Sequence, residues 1–260
     1  MTEFFDSHAH YNDEKFAQDR EEVLKAIYES NITTLICAGY SLKSSKEALE
    51  IANAHNFIYT ISGISPNDIP ETKEEFNNQL EQLRKIAKEK KVVAIGEIGL
   101  DYYWNKENKQ MQEYAFKEQI KLANELNKPI VIHTREAVND TLDILKNKQK
   151  AEKAGVFHCC PFNRELVKEA LKLGFYISFA GPTTFKNSKN AEEIANLVPL
   201  DRMLIETDSP YLSPEPYRGK RNDSRKVKLI ADKIAAFRKN SIEEIAKATY
   251  ENAKKIFEIE

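Results

Sequence analysis

The chain alternates between two kinds of segment along its whole length, and this alternation restricts its fold more than any other feature. Short runs rich in Val, Ile and aromatic residues are each followed by a longer stretch with the apolar period of a helix. This order is typical of parallel strands joined by helical crossovers. Eight candidate strands can be counted, at residues 3–8, 33–38, 58–64, 92–98, 129–133, 155–158, 175–179 and 203–206.

Eight strand-helix units in 260 residues match the size of a (β/α)8 barrel, which typically takes ~250 residues. The chain after the last strand has room for an eighth helix and one additional helix. An open, doubly wound sheet uses the same units, but it normally has a glycine-rich loop after the first strand, where this chain reads DSHAHYND. We therefore predict an α/β TIM barrel that forms a single domain over residues 1–260.

Charge and cysteine content restrict the functional classes. Lys plus Arg (39) nearly balances Asp plus Glu (41), so no global positive field exists to hold long nucleic acid, and a polyanion must be bound locally. Three cysteines without CxxC spacing indicate a reducing compartment. No apolar run approaches the ~20 residues of a membrane span. We expect a soluble, cytoplasmic and monomeric protein that does not contact membranes.

Metal-capable side chains collect at the predicted strand ends. His8 and His10 follow the first strand one residue apart, so both can point at one cation. In a barrel the carboxyl ends of all strands meet at one face, so the other strand ends add ligands there. These candidates exceed the needs of one tetrahedral ion, and they predict two divalent cations, Mg²⁺, Mn²⁺, Fe²⁺ or Zn²⁺. The additional candidate ligands are Glu97, His133, His158 and Asp208.

Three further residues need a separate interpretation. Glu206 either orients a neighbouring ligand or is a structural carboxylate at a strand end. Cys159 adjoins His158, and strand alternation predicts that its side chain points away from the metal-binding face and packs as a small hydrophobe. His55, the fifth histidine, ends the second helix, where it favours the negative end of the helix dipole.

With these residues placed, the sequence resembles the TatD family of metal-dependent hydrolases, a branch of the amidohydrolase superfamily, over essentially its whole length. The resemblance rests on blocks in the family's order: DSHAHYN, AIGEIGLDYY, PIVIHTREA, FHCCP and ETDSPYLSPEPYRGKRN. It implies that Glu97 bridges two ions. One ion would be held by His8, His10, Glu97 and Asp208, and the other by Glu97, His133 and His158.

The same resemblance implies metal-dependent DNase activity, including removal of nucleotides from a 3′ end, whereas some relatives deacylate D-aminoacyl-tRNA. One position departs from the family. The third strand usually ends in Gly-x-His-Pro, but this chain reads GISP, with Ser65 in place of the histidine. A serine can hydrogen-bond to substrate, but it cannot supply a proton near neutral pH.

Basic and aromatic residues near the predicted active site suggest how a substrate binds. Arg218, Lys220 and Arg221 follow the eighth strand, and Arg135 follows His133, so all four are candidate phosphate contacts. A salt bridge to Asp223 or to a neighbouring helix is the alternative for the 218–221 cluster. The aromatic run at residues 102–104 could stack an unpaired base or pack beneath its loop.

These features predict a metal-dependent phosphodiesterase, and the resemblance implies that it shortens single-stranded DNA from its 3′ end. The metals would activate a water, with Asp208 as general base and Glu97 as bridging catalytic carboxylate. Two alternatives remain open. One is a D-aminoacyl-tRNA deacylase or a small-molecule amide or ester hydrolase that uses the same metal pair, and the other is a non-catalytic metal-dependent binding protein.

Overall fold

The eight predicted strands form one parallel sheet in the computed structural model, which describes residues 2–260. Each strand pairs with the next along the chain, from the first to the eighth. The strand bounds are β1 Phe4–Ala9, β2 Ile32–Ala38, β3 Ile58–Ser62, β4 Val92–Asp101, β5 Ile130–Arg135, β6 Val156–Phe157, β7 Tyr176–Phe179 and β8 Met203–Ile205.

Every strand is followed by an α-helix, and the additional helix predicted after the eighth unit is present. Serine side chains begin two of these helices. Ser41 and Ser241 form capping boxes with the residues three positions later, Ser44 and Glu244. The helix bounds are α1 Arg20–Glu29, α2 Leu42–Ala54, α3 Lys73–Ile86, α4 Lys109–Glu125, α5 Val138–Asp143, α6 Arg164–Lys172, α7 Ala191–Leu197, α8 Val227–Arg238 and α9 Ile242–Phe257.

The seam between β1 and β8 closes the sheet into a barrel. Ala9 and Ser209 form a parallel bridge across the seam, and the Asp208 N–H donates to the carbonyl of His8 over 2.9 Å. Deeper in the seam, the fully buried Asp6 carboxylate accepts from the backbone N–H and the hydroxyl of Thr207, at 2.9 and 2.6 Å. The predicted TIM barrel is therefore confirmed.

Apolar side chains close the amino-terminal end of the barrel. Phe5, Ile36 and Val131 belong to a buried cluster that also includes residues of α9. The ring of Phe5 stacks on that of Phe257 in α9, with 6.3 Å between ring centroids. A second, larger cluster buries the helices against the sheet. Because apolar side chains fill the amino-terminal end, the polar side chains of the barrel interior lie at the carboxyl-terminal end.

Two strands carry an irregularity in register where candidate ligands lie. The pairing of β1 with β2 shifts between Asp6 and Ala9, and that of β4 with β5 shifts between Ile95 and Ile98. Such irregularities re-aim side chains and recur next to active sites. β4 also continues three residues beyond its predicted end at residue 98. Within residues 2–260, none of the helices combines the length and the apolar character needed to cross a membrane.

Candidate active site

The first group of candidate ligands lies where β1, β4 and β8 end. The Nε2 atoms of His8 and His10 are 3.3 Å apart, and Asp208 Oδ1 is 3.2 Å from His10 Nε2. One carboxylate oxygen of Glu97, Oε2, lies 3.5 Å from His8 Nε2. Asp208 adopts a φ of 55°, and its backbone N–H is held by the barrel seam. Four donors from three strands thus face one another.

The second group is built by β5 and by the residue after β6. His133 Nδ1 and His158 Nε2 are 3.3 Å apart. The other oxygen of Glu97, Oε1, lies 3.2 Å from His133 Nδ1 and 3.5 Å from His158 Nε2. The rings of His8 and His158 stack with centroids 4.1 Å apart, which places the two groups side by side. Glu97 therefore presents one oxygen to each pair of histidines.

The separations between these donor atoms fit a bound metal ion. Two donors at ~2.0 to 2.1 Å from one tetrahedral ion lie ~3.3 Å from each other. The His8–His10 and His133–His158 nitrogen pairs are both at 3.3 Å, whereas two neutral imidazoles gain at most one hydrogen bond from such an approach. The donors are imidazole and carboxylate, which suit a divalent first-row metal or Mg²⁺. The cluster is thus a candidate metal centre.

Burial and mutual charge shift the protonation of this cluster. Burial alone would raise the pKa of Glu97, but His158, His133 and His8 outweigh it and hold that pKa well below its usual range. Burial likewise opposes protonation of His10 and of His158, but their carboxylate partners raise both pKa values. Glu97 is therefore ionised at neutral pH, and protons compete with a cation for the imidazole nitrogens.

Asp101 is a functional candidate that the sequence analysis missed. Its buried carboxylate lies 2.9 Å from His133 Nε2. A carboxylate can only accept, so Nε2–H donates and the Nδ1 lone pair of His133 is left facing Glu97 and His158. Asp101 lies on β4 four residues after Glu97. Residues four apart on a strand point to the same face, so the spacing would have indicated Asp101 if the strand had been predicted to extend that far.

Glu206 holds the other histidine of this group. Its fully buried Oε1 lies 3.3 Å from His158 Nδ1 and accepts the Cys159 N–H over 2.7 Å. Of the two interpretations given for Glu206, this contact fits the one in which Glu206 orients a candidate metal ligand, His158. The expectation for Cys159 was wrong, since its side chain lines the active-site cavity. The strand alternation used for that expectation ends at Phe157, and Cys159 adopts a φ of 37°.

Both groups of candidate ligands open into a cavity of about 800 Å³ at the carboxyl end of the barrel. Its wall is largely apolar and aromatic, although the ligands themselves are polar. Pockets of this size, with a few polar groups among apolar ones, are typical of small-molecule and cofactor sites. The apolar and aromatic lining residues include Tyr40, Trp104, Phe162, Pro182, Tyr211 and Leu212.

Ser65 lies in the wall of this cavity, as predicted for a substrate contact, but its hydroxyl is engaged within the protein. Ser65 Oγ donates to Asp68 Oδ2 over 2.6 Å. Burial and the negative charge of Glu97 raise the pKa of Asp68, against the lowering effect of the Ser65 bond. Among the residues that line the cavity, Asp68 is the one carboxylate outside the candidate ligand set. Sequence reasoning had singled out Ser65 and overlooked its partner.

Arg135 also lines the cavity, in agreement with its predicted position. Its guanidinium lies over the ring of Tyr103, 3.7 Å from the centroid, with Trp104 beyond at 5.6 Å. Trp104 is 68% exposed and Tyr103 is 48% exposed. Tyr102 is instead buried, and its hydroxyl donates to Asp140 over 2.9 Å. The aromatic run thus divides into one packing residue and two accessible ones.

The basic cluster after β8 is divided as well. Arg218 lies over the ring of Phe185 at 4.3 Å, and Lys220 is exposed. The structure does not bring Arg221 to the cavity: its Nη1 donates to Asp19 Oδ1 over 2.9 Å, and its guanidinium forms an ion pair there. The alternative partner, Asp223, binds Arg225 and Lys226 instead. His55 is the C-cap residue of α2, far from this cluster, and its Nε2 lies 3.2 Å from Glu21.

A TIM barrel with a histidine and carboxylate cluster at its carboxyl end defines a class, the barrel metal-dependent hydrolases. The family model described as "TatD related DNase" matches residues 5–258. The chain belongs to the TatD family, and the protein is a metal-dependent hydrolase, as its sequence blocks predicted. Its fold also matches a crystal structure of the TatD homologue YJJV from Escherichia coli K12. That match has a TM-score of 0.90 at 24% identity and covers 99% of this chain and 98% of the other.

Similar proteins carry names of two kinds. An uncharacterized metal-dependent hydrolase of Bacillus subtilis, YabD, is 42% identical over 255 residues, which cover 98% of this chain and 99% of that protein. A protein of Pantoea ananatis named 3′-5′ ssDNA/RNA exonuclease TatD is 33% identical over 259 residues, covering 97% of this chain and 98% of that protein. The similarity extends along the full barrel in both cases.

Proposed function

We propose that this hydrolase is a nuclease that removes nucleotides from the 3′ ends of single-stranded DNA and that Glu97 is shared by two divalent ions. The observation that carries the proposal is the orientation of Glu97, whose two oxygens face different histidine pairs at the entrance of one cavity. Metal pairs bridged in this way suit phosphodiester hydrolysis. The name of the Pantoea ananatis relative supports the same activity.

The ligand atoms divide according to their distances. His8 Nε2, His10 Nε2, Glu97 Oε2 and Asp208 Oδ1 would hold one ion, and Glu97 Oε1, His133 Nδ1 and His158 Nε2 the other. When bound, Mg²⁺, Mn²⁺ or Zn²⁺ supplies Lewis-acid activation of water and neutralises the oxygens of the group being cleaved.

Asp208 is the proposed general base. Burial would raise its pKa, but the interactions with His10, His8 and His158 lower it further than burial raises it, so the carboxylate is ionised at neutral pH. It would take the proton of the attacking water while the new phosphorus–oxygen bond forms and the bond to the 3′ oxygen breaks, and the departing 3′ oxygen would take up a proton from solvent. Glu206 and Asp101 keep His158 and His133 in the ring orientation that this arrangement requires.

A second candidate function, D-aminoacyl-tRNA deacylation, is favoured by Asp68. This carboxylate lies in the cavity wall and uses one oxygen for the Ser65 bond, so the other can accept a bond from a substrate ammonium group. An ammonium group is present on an aminoacyl ester and absent from a phosphodiester. Asp68→Asn should therefore damage deacylation far more than DNA cleavage, and this contrast distinguishes the two functions.

The test combines metal content with end-specific cleavage. Wild-type protein should bind two equivalents of Mn²⁺ or Zn²⁺, and Glu97→Ala should lose both, because each ion loses an oxygen donor. His55→Ala is the matched control, since this histidine contacts none of the cluster. An oligonucleotide labelled at its 5′ end should shorten progressively from the 3′ end with metal and stay intact with chelator. Intact single-stranded DNA under every metal would overturn the nuclease proposal.

A further inference from the structure

Exposed aromatic side chains are concentrated in two loops at the carboxyl end of the barrel, and two of them, Trp104 and Tyr211, line the cavity. Five large hydrophobic side chains are exposed within residues 2–260, and four of them lie in the loops after β4 and β8. These four are Tyr103, Trp104, Tyr211 and Tyr217. Large aromatic groups normally bury their surface, and those left exposed beside a cavity indicate a surface that contacts a ligand.

Three cations that form no ion pair lie over aromatic rings at this end of the barrel. Arg135 lies 3.7 Å from the centroid of Tyr103, and Lys15 lies 4.2 Å from that of Tyr211. The third pair is Arg218 over Phe185, at 4.3 Å. The pairs come from the segments at the ends of β4 and β5, of β1 and β8, and of β7 and β8, which all lie at the carboxyl end of the barrel, and Arg135 and Tyr211 line the cavity itself. We call these three cation-aromatic pairs the rim.

The rim cations are not neutralised by the protein. Within residues 2–260, no carboxylate lies within 4.0 Å of the charged nitrogens of Arg135, Lys15 or Arg218, and their side chains make no hydrogen bond. The neighbouring cations of the same loops differ, because Arg221 pairs with Asp19 and Lys226 pairs with Asp223. A cation over a ring keeps its position while its N–H groups stay free for an anion.

Hydrogen bonds connect the aromatic rings of the rim to the loops that carry them. The Tyr211 hydroxyl donates to Asp13 over 2.6 Å, which fixes the ring under Lys15. The Glu215 backbone N–H donates to the Thr184 hydroxyl over 2.8 Å, which joins the loop of Arg218 to that of Phe185. Asp101 Oδ1 accepts the backbone N–H of Tyr103 over 2.9 Å. Hydrogen bonds within the protein therefore position the loops of each pair without a ligand.

From this arrangement we propose that the rim is a binding track for single-stranded nucleic acid, in which the three cations contact successive phosphates while Trp104 and Tyr211 stack on unpaired bases. The proposal rests on the proposed function, because it names the part of the substrate outside the metal cluster. Alternating cations and aromatic rings match the alternating phosphates and bases of one strand. A duplex hides its base faces, so the track favours single strands.

Binding can be measured without catalysis. A fluorescent oligonucleotide of about 12 thymidines is titrated with the full-length protein in chelator, with salt varied from about 50 to about 200 mM. Three phosphate contacts at ~0.7 each give a log–log slope of about −2, and affinity should fall roughly 20-fold over this range. A combined Lys15→Gln, Arg135→Gln and Arg218→Gln variant should have a nearly flat slope. Arg221→Gln, the matched control for a paired cation, should keep the wild-type slope.

Trp104 gives a second readout, because it is the only tryptophan in the chain. Its fluorescence should be quenched on saturation with the oligonucleotide, and the quench should survive Arg221→Gln. Trp104→Ala should weaken binding roughly tenfold without changing the salt slope, since stacking involves no counterion release. All these side chains are exposed or half-buried at the surface, and an unchanged melting temperature verifies that each variant folds.

The outcomes separate the track from the nuclease activity. One outcome is a salt slope of affinity that becomes flat in the triple variant, with no DNA cleavage in the presence of any metal ion. It would support the track and overturn the nuclease proposal. Cleavage of DNA by a triple variant that keeps the wild-type slope would overturn the track and leave the nuclease proposal intact. A tryptophan signal that does not respond to saturating single strands would also overturn the track.

Discussion

The Asp101 carboxylate and the His133 ring are joined by a hydrogen bond of 2.9 Å, and this bond determines which nitrogen of His133 faces the candidate metal centre. Burial raises the pKa of Asp101, but the interactions with His133 reverse this effect and lower it, so the carboxylate is an ionised acceptor at neutral pH. The same carboxylate accepts the backbone N–H groups of Tyr103 and Trp104. The Asp101 carboxylate therefore positions both His133 and the loop that carries Tyr103 and Trp104.

Loss of that anchor should weaken metal binding. We expect Asp101→Ala to reduce affinity for Mn²⁺ or Zn²⁺ by about 10- to 100-fold, because His133 can then rotate and adopt the other tautomer. Isothermal titration of the chelator-stripped protein measures this change. Asp101→Glu should recover part of the affinity if its carboxylate reaches Nε2, whereas a purely structural role would leave the affinity of folded Asp101→Ala at the wild-type level.

Metal affinity should fall as the pH is lowered. Burial opposes protonation of His10, His133 and His158, but their carboxylate partners outweigh it and raise the three pKa values above the usual value for histidine, so without metal these rings take up protons at a higher pH than an ordinary histidine. A cation requires their neutral form. Titrations between about pH 8 and about pH 6 should show weaker binding at the acid end and protons released on binding. An affinity independent of pH would contradict this expectation.

Ser65 and Asp68 should act on the substrate rather than on the metal. Removing the hydroxyl in Ser65→Ala leaves Asp68 without its 2.6 Å donor, so its carboxylate becomes mobile in the cavity. We expect the KM for an aminoacyl ester to rise by a few-fold, according to the ~1 kcal/mol of an ordinary hydrogen bond, while the KM for oligonucleotides and the metal content stay unchanged. Mass spectrometry under native conditions gives the metal content. A loss of bound metal in this variant would place the pair in the metal centre instead.

Asp6 should make the free energy of unfolding depend on pH. Burial raises its pKa from 3.8 to about 7, although bonds from Ser224 and Thr207 lower it. A folded-state pKa above the unfolded one adds stability below about pH 4 that is lost as the pH rises through about 7. Asp6→Asn removes this titration, and the hydroxyls of Thr207 and Ser224 can turn to accept from the amide.

The difference between the two proteins isolates Asp6 from the other titrating groups. Urea unfolding at several pH values should show that wild type loses stability relative to Asp6→Asn by up to ~1.4 kcal/mol per pH unit between about pH 4 and about pH 7. A constant difference across this range would mean that the pKa of Asp6 is not raised in the folded protein.

Local sequence patterns were enough to predict the barrel. Short apolar runs indicate its buried strands, and stretches with an apolar period of about 3.6 residues indicate its helices. They also predicted which residues converge, since strand ends share one face. Side-chain direction was less predictable. Glu97 lies where β4 shifts register against β5, and Cys159 lies after β6 with a φ of 37°, so a strict two-residue alternation fails at both places.

Contacts between side chains of distant loops could not be predicted from the sequence. Arg218 and Arg221 are three residues apart and chemically identical, yet one lies over Phe185 and the other pairs with Asp19, about two hundred positions away in the chain. The ion pair depends on how two loops approach each other once the barrel has closed. Asp68 was missed for the same reason, because its importance follows from the cavity and from its bond to Ser65.

The barrel seam makes the site depend on the last strand of the chain. Asp208 is held by the carbonyl of His8, so the earliest ligand of the chain and the latest are brought together only when β8 docks beside β1. A nascent chain that still lacks residues 203–209 has neither this contact nor the proposed general base. Hydrolytic capacity would thus arise only after the last strand has docked beside the first.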